Sequence, residues 1–152
     1  LYMVLIDEIA RAGINLKFLA TDIDHLILKK AMAGIYTEVE VAGLSPERIR
    51  RFCKWRKNEN GRVCMLNEEV TSSIRFALLN LIEQPYPFQH KFDIVFCRNV
   101  FIYFDASTID TIARNIHKNM NPGGLLYIGT CESIRFREIG FERVAHSVFR
   151  KK

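Results

Sequence analysis

The run Phe92-Asp93-Ile94-Val95-Phe96-Cys97, closed by Arg98 and Asn99, constrains this chain more than any other stretch. Apolar but for one early acid, it has the pattern of a strand buried on both faces, as in parallel sheets covered by helices. Where the run ends, a guanidinium and an amide stand side by side. Open parallel sheets bind ligands in the crevice beyond the carboxyl ends of their strands. Arg98 and Asn99 are therefore candidates to grip a polar ligand, with Val100 to Phe104 as an apolar wall carrying a single phenol, Tyr103. The same pattern also fits a core strand followed by an ordinary turn.

The neighbouring segments extend the parallel-sheet reading. Apolar residues at 1, 4, 5 and 9 with acids at 7 and 8 predict an amphipathic helix over 1–12, stopped by Gly13. Residues 16–21 read as a strand ending at Thr21-Asp22-Ile23-Asp24, and either Asp22 or Asp24 caps a helix from Leu26 to Ala33 that Gly34 closes. An acid at such a strand end also serves as an acceptor for ribose hydroxyls in nucleotide-binding α/β folds. Ser45-Pro46-Glu47 starts a helix that runs to about Trp55. Asn58 to Gly61 is a turn, Arg62 to Leu66 a strand, and Ile74 to Leu79 a further strand leading into Asn80-Leu81. Pro85 and Pro87 keep the approach to Lys91 in a loop. Ser107 caps a helix to about Met120, with Ile109, Ile112, Ala113 and Ile116 on one face, and Asn121-Pro122-Gly123-Gly124 ends it. Leu125 to Gly129 is another buried strand, and Phe141 to Ala145 with Val148 to Arg150 form a closing antiparallel hairpin. Strands alternating with helices argue for an α/β fold with a mostly parallel sheet. Asp22, Asn80 and Arg98-Asn99 then fall at three strand ends, on one edge, where a ligand site belongs.

Composition narrows the class. A chain of 152 residues with 49% hydrophobic and 26% charged residues is an ordinary globular domain with a real core. The longest apolar run, Leu1 to Ile6, is too short to cross a bilayer, so no membrane insertion is expected. Cys53, Cys64, Cys97 and Cys131 include no C-x-x-C pair, which argues against zinc, and they read as free thiols of a cytoplasmic protein. The net charge of +5 gathers around Arg48, Arg50, Arg51, Lys54, Arg56, Lys57 and Arg62, a solvated face or an attraction for an acidic partner. Aromatic residues do not interleave with that run, so nucleic acid is not the expected partner.

The segments Leu19 to Asp24 with Ala31 and Gly34-Ile35-Tyr36, then Asn80-Leu81, Phe92 to Asp105, Asn121 to Gly129 and Glu132-Ser133 resemble the chemotaxis receptor glutamate O-methyltransferases, the CheR family. The F-C-R-N-x-x-I-Y-F block carries most of that resemblance, since N-P-G-G is common to many methyltransferases. The resemblance implies a doubly wound, Rossmann-like α/β domain that uses S-adenosylmethionine and methylates glutamates in receptor cytoplasmic domains. It implies that Asp22 holds the cofactor's ribose hydroxyls, that Asn80 and Leu81 flank its adenine, and that Arg98 and Asn99 line its methionine end or ribose side. Tyr103 would face the incoming substrate near the reacting methyl group. No metal is implied.

Measured against the family, the glycine-rich loop and first strand belong ahead of Leu1, as does the helical N-terminal domain. The chain is thus expected to be a partial CheR domain over 1–152 with an inserted subdomain at 43–75, and inactive alone. The missing strand would sit between those at 16–21 and 92–97, which must pair directly or close the gap by self-association. Gly129-Thr130-Cys131-Glu132-Ser133 also departs from the family, which usually has histidine and serine between that glycine and glutamate. Three rival readings stand beside this one: a non-catalytic CheR-like interaction module, a methyltransferase of small molecules and, more distantly, a nucleic-acid-binding module.

Overall fold

The computed structural model describes residues 1–59, 61–130, 132 and 136–152, and the chain divides into two compact units, Leu1–Leu79 and Asn80–Lys152. In the first unit, helix α1 (Tyr2–Arg11) is followed by Gly13 at φ 65°. Strand β1 (Phe18–Asp22) comes next, then α2 (His25–Ala33), β2 (Ile35–Thr37), α3 (Pro46–Phe52), β3 (Cys53–Asn58), β4 (Gly61–Leu66), α4 (Glu68–Ser73) and β5 (Ile74–Leu78). β1 and β5 pair in parallel, Phe18 opposite Ile74 through Asp22 opposite Leu78. β2, β4 and β3 form a separate antiparallel sheet with β4 in the middle. That sheet begins ahead of residue 43, at Ile35, and Ile74 and Arg75 already belong to β5. Its inner face puts Tyr36, Cys64 and Trp55 in one cross-strand row, and Cys64 joins Tyr2, Val41, Phe52, Cys53 and Val70 in a buried core.

β2, α3 and α4 differ from the sequence reading here; β2 is a strand that the sequence did not announce. α3 stops at Phe52 rather than near Trp55, because Cys53 enters the ladder opposite Leu66 and alternation takes over from the helical period. α4, unannounced by the sequence, is a short helix whose Val70 is driven into the core while Ser72 and Ser73 donate back to the carbonyls of Glu68 and Glu69.

The second unit opens with an irregular stretch to Lys91 and then β6 (Phe92–Cys97), α5 (Ala106–Lys118), β7 (Met120–Ile128), β8 (Phe141–Ala145) and β9 (Val148–Lys151). The strand order is β6-β7-β9-β8; β6 and β7 run parallel, and β9 lies antiparallel to both β7 and β8. α5 is the crossover of the parallel pair and turns Ile112, Ala113 and Ile116 into the core with Met120, Leu126 and Phe141. Its cap is Asp105, whose Oδ1 accepts from Thr108 N at 2.8 Å; Ser107, the cap that the sequence suggested, only donates its hydroxyl to Asp105. At the other end the buried Lys151 ammonium donates to the carbonyls of His117 at 2.7 Å and Met120 at 2.9 Å. Asn121 to Gly124 does not follow a helix directly, since β7 already begins at Met120. The four residues instead loop out as an irregularity between the Phe92–Met120 and Ile94–Leu125 pairs, tied down by Asn121 Nδ2 donating to Asp93 Oδ1 at 2.8 Å. Within its own unit β1 pairs with β5, and β6 with β7.

Candidate functional site

In the first unit the candidate is Asp22, the last residue of β1. Parallel pairing with β5 fixes the strand end, and Leu79 N donates to the Asp22 carbonyl at 2.9 Å. The half-buried Asp22 carboxylate accepts from Asp24 N at 2.9 Å through Oδ1, and Asp24 in turn caps α2 by accepting from Leu26 N at 2.7 Å. The two acids thus divide the work that the sequence left open between them. A carboxylate offers about four acceptor positions, so the turn leaves Asp22 with capacity for hydroxyl donors.

In the second unit the candidates fall on two turns. Cys97 and Ile128 pair at the level carboxyl ends of β6 and β7, and Arg98 and Asn99 follow immediately. Asn99 adopts φ 60°, a left-handed conformation that asparagine tolerates and that swings the chain away from the strand. Phe101 is 2% exposed and pins a 3-10 turn over Phe101–Tyr103, whose Phe104 N returns to the Phe101 carbonyl at 3.2 Å. The expected apolar wall is only partly present, because Phe101 is buried and Val100 and Phe104 are half-buried. What the turn displays is Ile102 and Tyr103, the latter 78% exposed. Arg98 is exposed and holds no ion pair among the described residues. Beneath the turn, burial and then the Glu132 carboxylate push the Cys97 thiol up to about 12, which keeps it protonated.

Asn80 and Leu81 form their own turn. Asn80 Oδ1 accepts from Ile82 N at 3.1 Å and its Nδ2 donates to Glu83 Oε1 at 3.0 Å, so the amide shapes the backbone. Tyr86, its phenol pushed up to about 12 chiefly by burial, donates to the Leu81 carbonyl at 2.8 Å. A shallow cavity of about 430 Å³ lies alongside, lined by Gln84, Pro85, Tyr86, Asn115, Lys118 and Asn119, and contains none of the candidates. Among the described residues no cluster of His, Cys, Asp or Glu is placed to hold a metal ion. Among the described residues no helix is long and apolar enough to cross a membrane.

The structure therefore puts Arg98, Asn99 and Tyr103 on one turn, Asn80 and Leu81 on another, and Asp22 in the other unit. It also brings in Glu132, which the family resemblance includes but to which the sequence reading gave no role.

Residues 1–149 match the family model described as CheR methyltransferase, SAM binding domain. The chain belongs to the CheR methyltransferase family. This CheR-family chain is 33% identical over 147 residues to a chemotaxis protein methyltransferase of Escherichia coli, covering 97% of the chain and 51% of that protein. A chemotaxis protein methyltransferase of Salmonella typhimurium is 34% identical over 131 residues, 86% of the chain and 46% of the relative. Chemotaxis protein methyltransferase 1 of Pseudomonas aeruginosa is 38% identical over 125 residues, 82% and 43%. The chain spans about half the length of these curated relatives. In the first unit a strand-end carboxylate with spare acceptor positions, Asp22, suits hydroxyl groups of the cofactor named in the family description.

Proposed function

We propose that this chain is the S-adenosylmethionine-binding part of a cytoplasmic enzyme that methylates glutamate carboxylates on the cytoplasmic domains of chemotaxis receptors. Residues 1–152 are one part of that enzyme, and the inserted subdomain expected at 43–75 is built on the β2-β4-β3 sheet, which starts at Ile35. The observation that carries the reading is Asp22, a carboxylate held by the Asp24 amide at the carboxyl end of a parallel strand. An acceptor fixed there suits the paired hydroxyls of a ribose.

The other roles follow from the chemistry of the turns. Asn80 holds the turn at which Leu81 lies against the adenine, and Arg98 with Asn99 lines the methionine end or ribose side. Bound S-adenosylmethionine supplies a methyl group made electrophilic by its sulfonium. A glutamate carboxylate is already ionised at neutral pH, so the chain need supply no general base. Its work is placement and the exclusion of water, and the exposed Tyr103 phenol is set to orient the incoming carboxylate by a hydrogen bond. Copies of the chain associate through the outer edge of β6, which carries the exposed Ile94 and Phe96.

Calorimetric titration of S-adenosylhomocysteine into the 152-residue chain tests the reading. Binding that disappears in Asp22→Ala is the expected result. Failure of the wild-type chain to bind, or equal binding by the variant, overturns it. In the whole enzyme with a receptor fragment as acceptor, Tyr103→Phe is expected to slow transfer about 10-fold, the loss of one hydrogen bond to a charged group.

A further inference from the structure

We infer that Glu132 is a positioning residue, whose carboxylate fastens the Arg98–Tyr103 turn to the carboxyl end of β7. This rests on the assignment of that turn to the cofactor and acceptor. Glu132 Oε1 accepts from Phe101 N at 2.9 Å, and its Oε2 accepts a short hydrogen bond from Gly129 N. Glu132 N donates to the Gly129 carbonyl at 3.1 Å, and Ser147 Oγ donates to the same carbonyl at 3.2 Å, so the base of the clamp is itself held by the β8–β9 turn. One side chain thus joins two segments that leave adjacent parallel strands at the same level.

The residue types are those that such a clamp demands. Only a carboxylate presents two acceptor oxygens to two backbone donors at once; a glutamine would turn an NH₂ donor toward one of them. Gly129 leaves the space: a Cβ there would lie 2.7 Å from Glu132 Oε2 and 3.1 Å from Asn99 N. The turn needs the fastening because Asn99 is left-handed, at φ 60°, and because Ile102 and Tyr103 are largely exposed with little packing of their own. Glu132 touches neither ligand in this reading; it acts through the backbone of Phe101 and so sets where Arg98, Asn99 and Tyr103 stand.

The test compares wild type, Glu132→Gln, and Glu142→Gln on the exposed face of β8 as a control. Amide resonances of Phe101 and Gly129 report the clamp directly, since hydrogen bonds to a carboxylate shift them downfield. In Glu132→Gln one or both are expected to move upfield while the β8 and β9 resonances stay in place. Affinity for S-adenosylhomocysteine is expected to fall about 10-fold, the loss of one charge-assisted hydrogen bond, with the control unchanged. Unmoved Phe101 and Gly129 resonances, or wild-type affinity in a variant whose resonances have moved, overturn the inference. If the wild-type chain binds no cofactor, the proposed function fails, and the amide resonances still decide whether the fastening exists.

Discussion

Gly129 has no room for a side chain, and the reason is contact rather than backbone conformation. A Cβ would meet Glu132 Oε2 at 2.7 Å and Glu132 Cδ at 3.0 Å. Gly129→Ala is therefore expected to lower stability by about 1–3 kcal/mol, the usual cost of overpacking, as read from the urea midpoint of unfolding. A wild-type midpoint would mean that the Glu132 carboxylate moves aside at little cost. Glu40 makes a different kind of prediction. Its carboxylate is paired with the Lys30 ammonium and accepts from Thr37 N at 2.8 Å, and these partners hold it at about 2 against an ordinary 4.5. A depressed carboxylate stabilises the fold above its unfolded value, and that contribution is lost as the pH falls from about 4.5 to about 2. The effect is modest because the pair is exposed to solvent. Glu40→Gln is expected to melt below wild type at pH 6 and to converge with it near pH 2; a constant gap in thermal scans would exclude the carboxylate as the cause. Glu40 is not marked as special in the sequence, and Gly129 only as part of a family motif, since each owes its importance to a partner that the linear pattern does not name.

Helix α2 shows how much of an element is local. A capping acid before it, at 22 or 24, and Gly34 after it, at φ 62° with its N–H on the Ala31 carbonyl, are readable from residue type alone. Asp24→Ala is expected to cost about 1 kcal/mol in chemical denaturation, and Asp24→Ser to restore most of it. Equal losses in the two variants would show that the cap is not what Asp24 contributes. By the same local logic β6, the parallel crossover and the β8–β9 hairpin were legible, because apolar runs and turn residues act over a few positions. α3 and α4 were not. Cys-Lys-Trp-Arg at 53–56 alternates as a strand should, but it directly follows the helix that starts at Ser45-Pro46, and pairing with β4 sets the boundary between them. α4 is six residues rich in serine and threonine, which favour turns; it is helical because Val70 is 2% exposed in the core.

Among the described residues of this CheR-family chain two strand pairs are parallel, β1 with β5 and β6 with β7, and β6 ends its sheet. A strand edge flanked by Ile94 at 46% and Phe96 at 41% exposure invites another chain. Sedimentation velocity is expected to show association that grows with concentration, and Ile94→Lys to suppress it; a monomer at every concentration would refute the proposed contact. Local chemistry determined the α/β alternation, the strand-end positions of Asp22 and Arg98-Asn99, and the resemblance that points to the cofactor. These depend on neighbours a few residues apart, where hydrophobic period, caps and turn propensities are written directly. Tertiary structure decided which acid caps α2, where the N-P-G-G residues bulge, and that Glu132 would reach Phe101 across 31 positions and Lys151 would reach His117 across 34. Contacts at such separations are selected by packing and the pairing of buried polar groups, which leave no pattern in either segment taken alone.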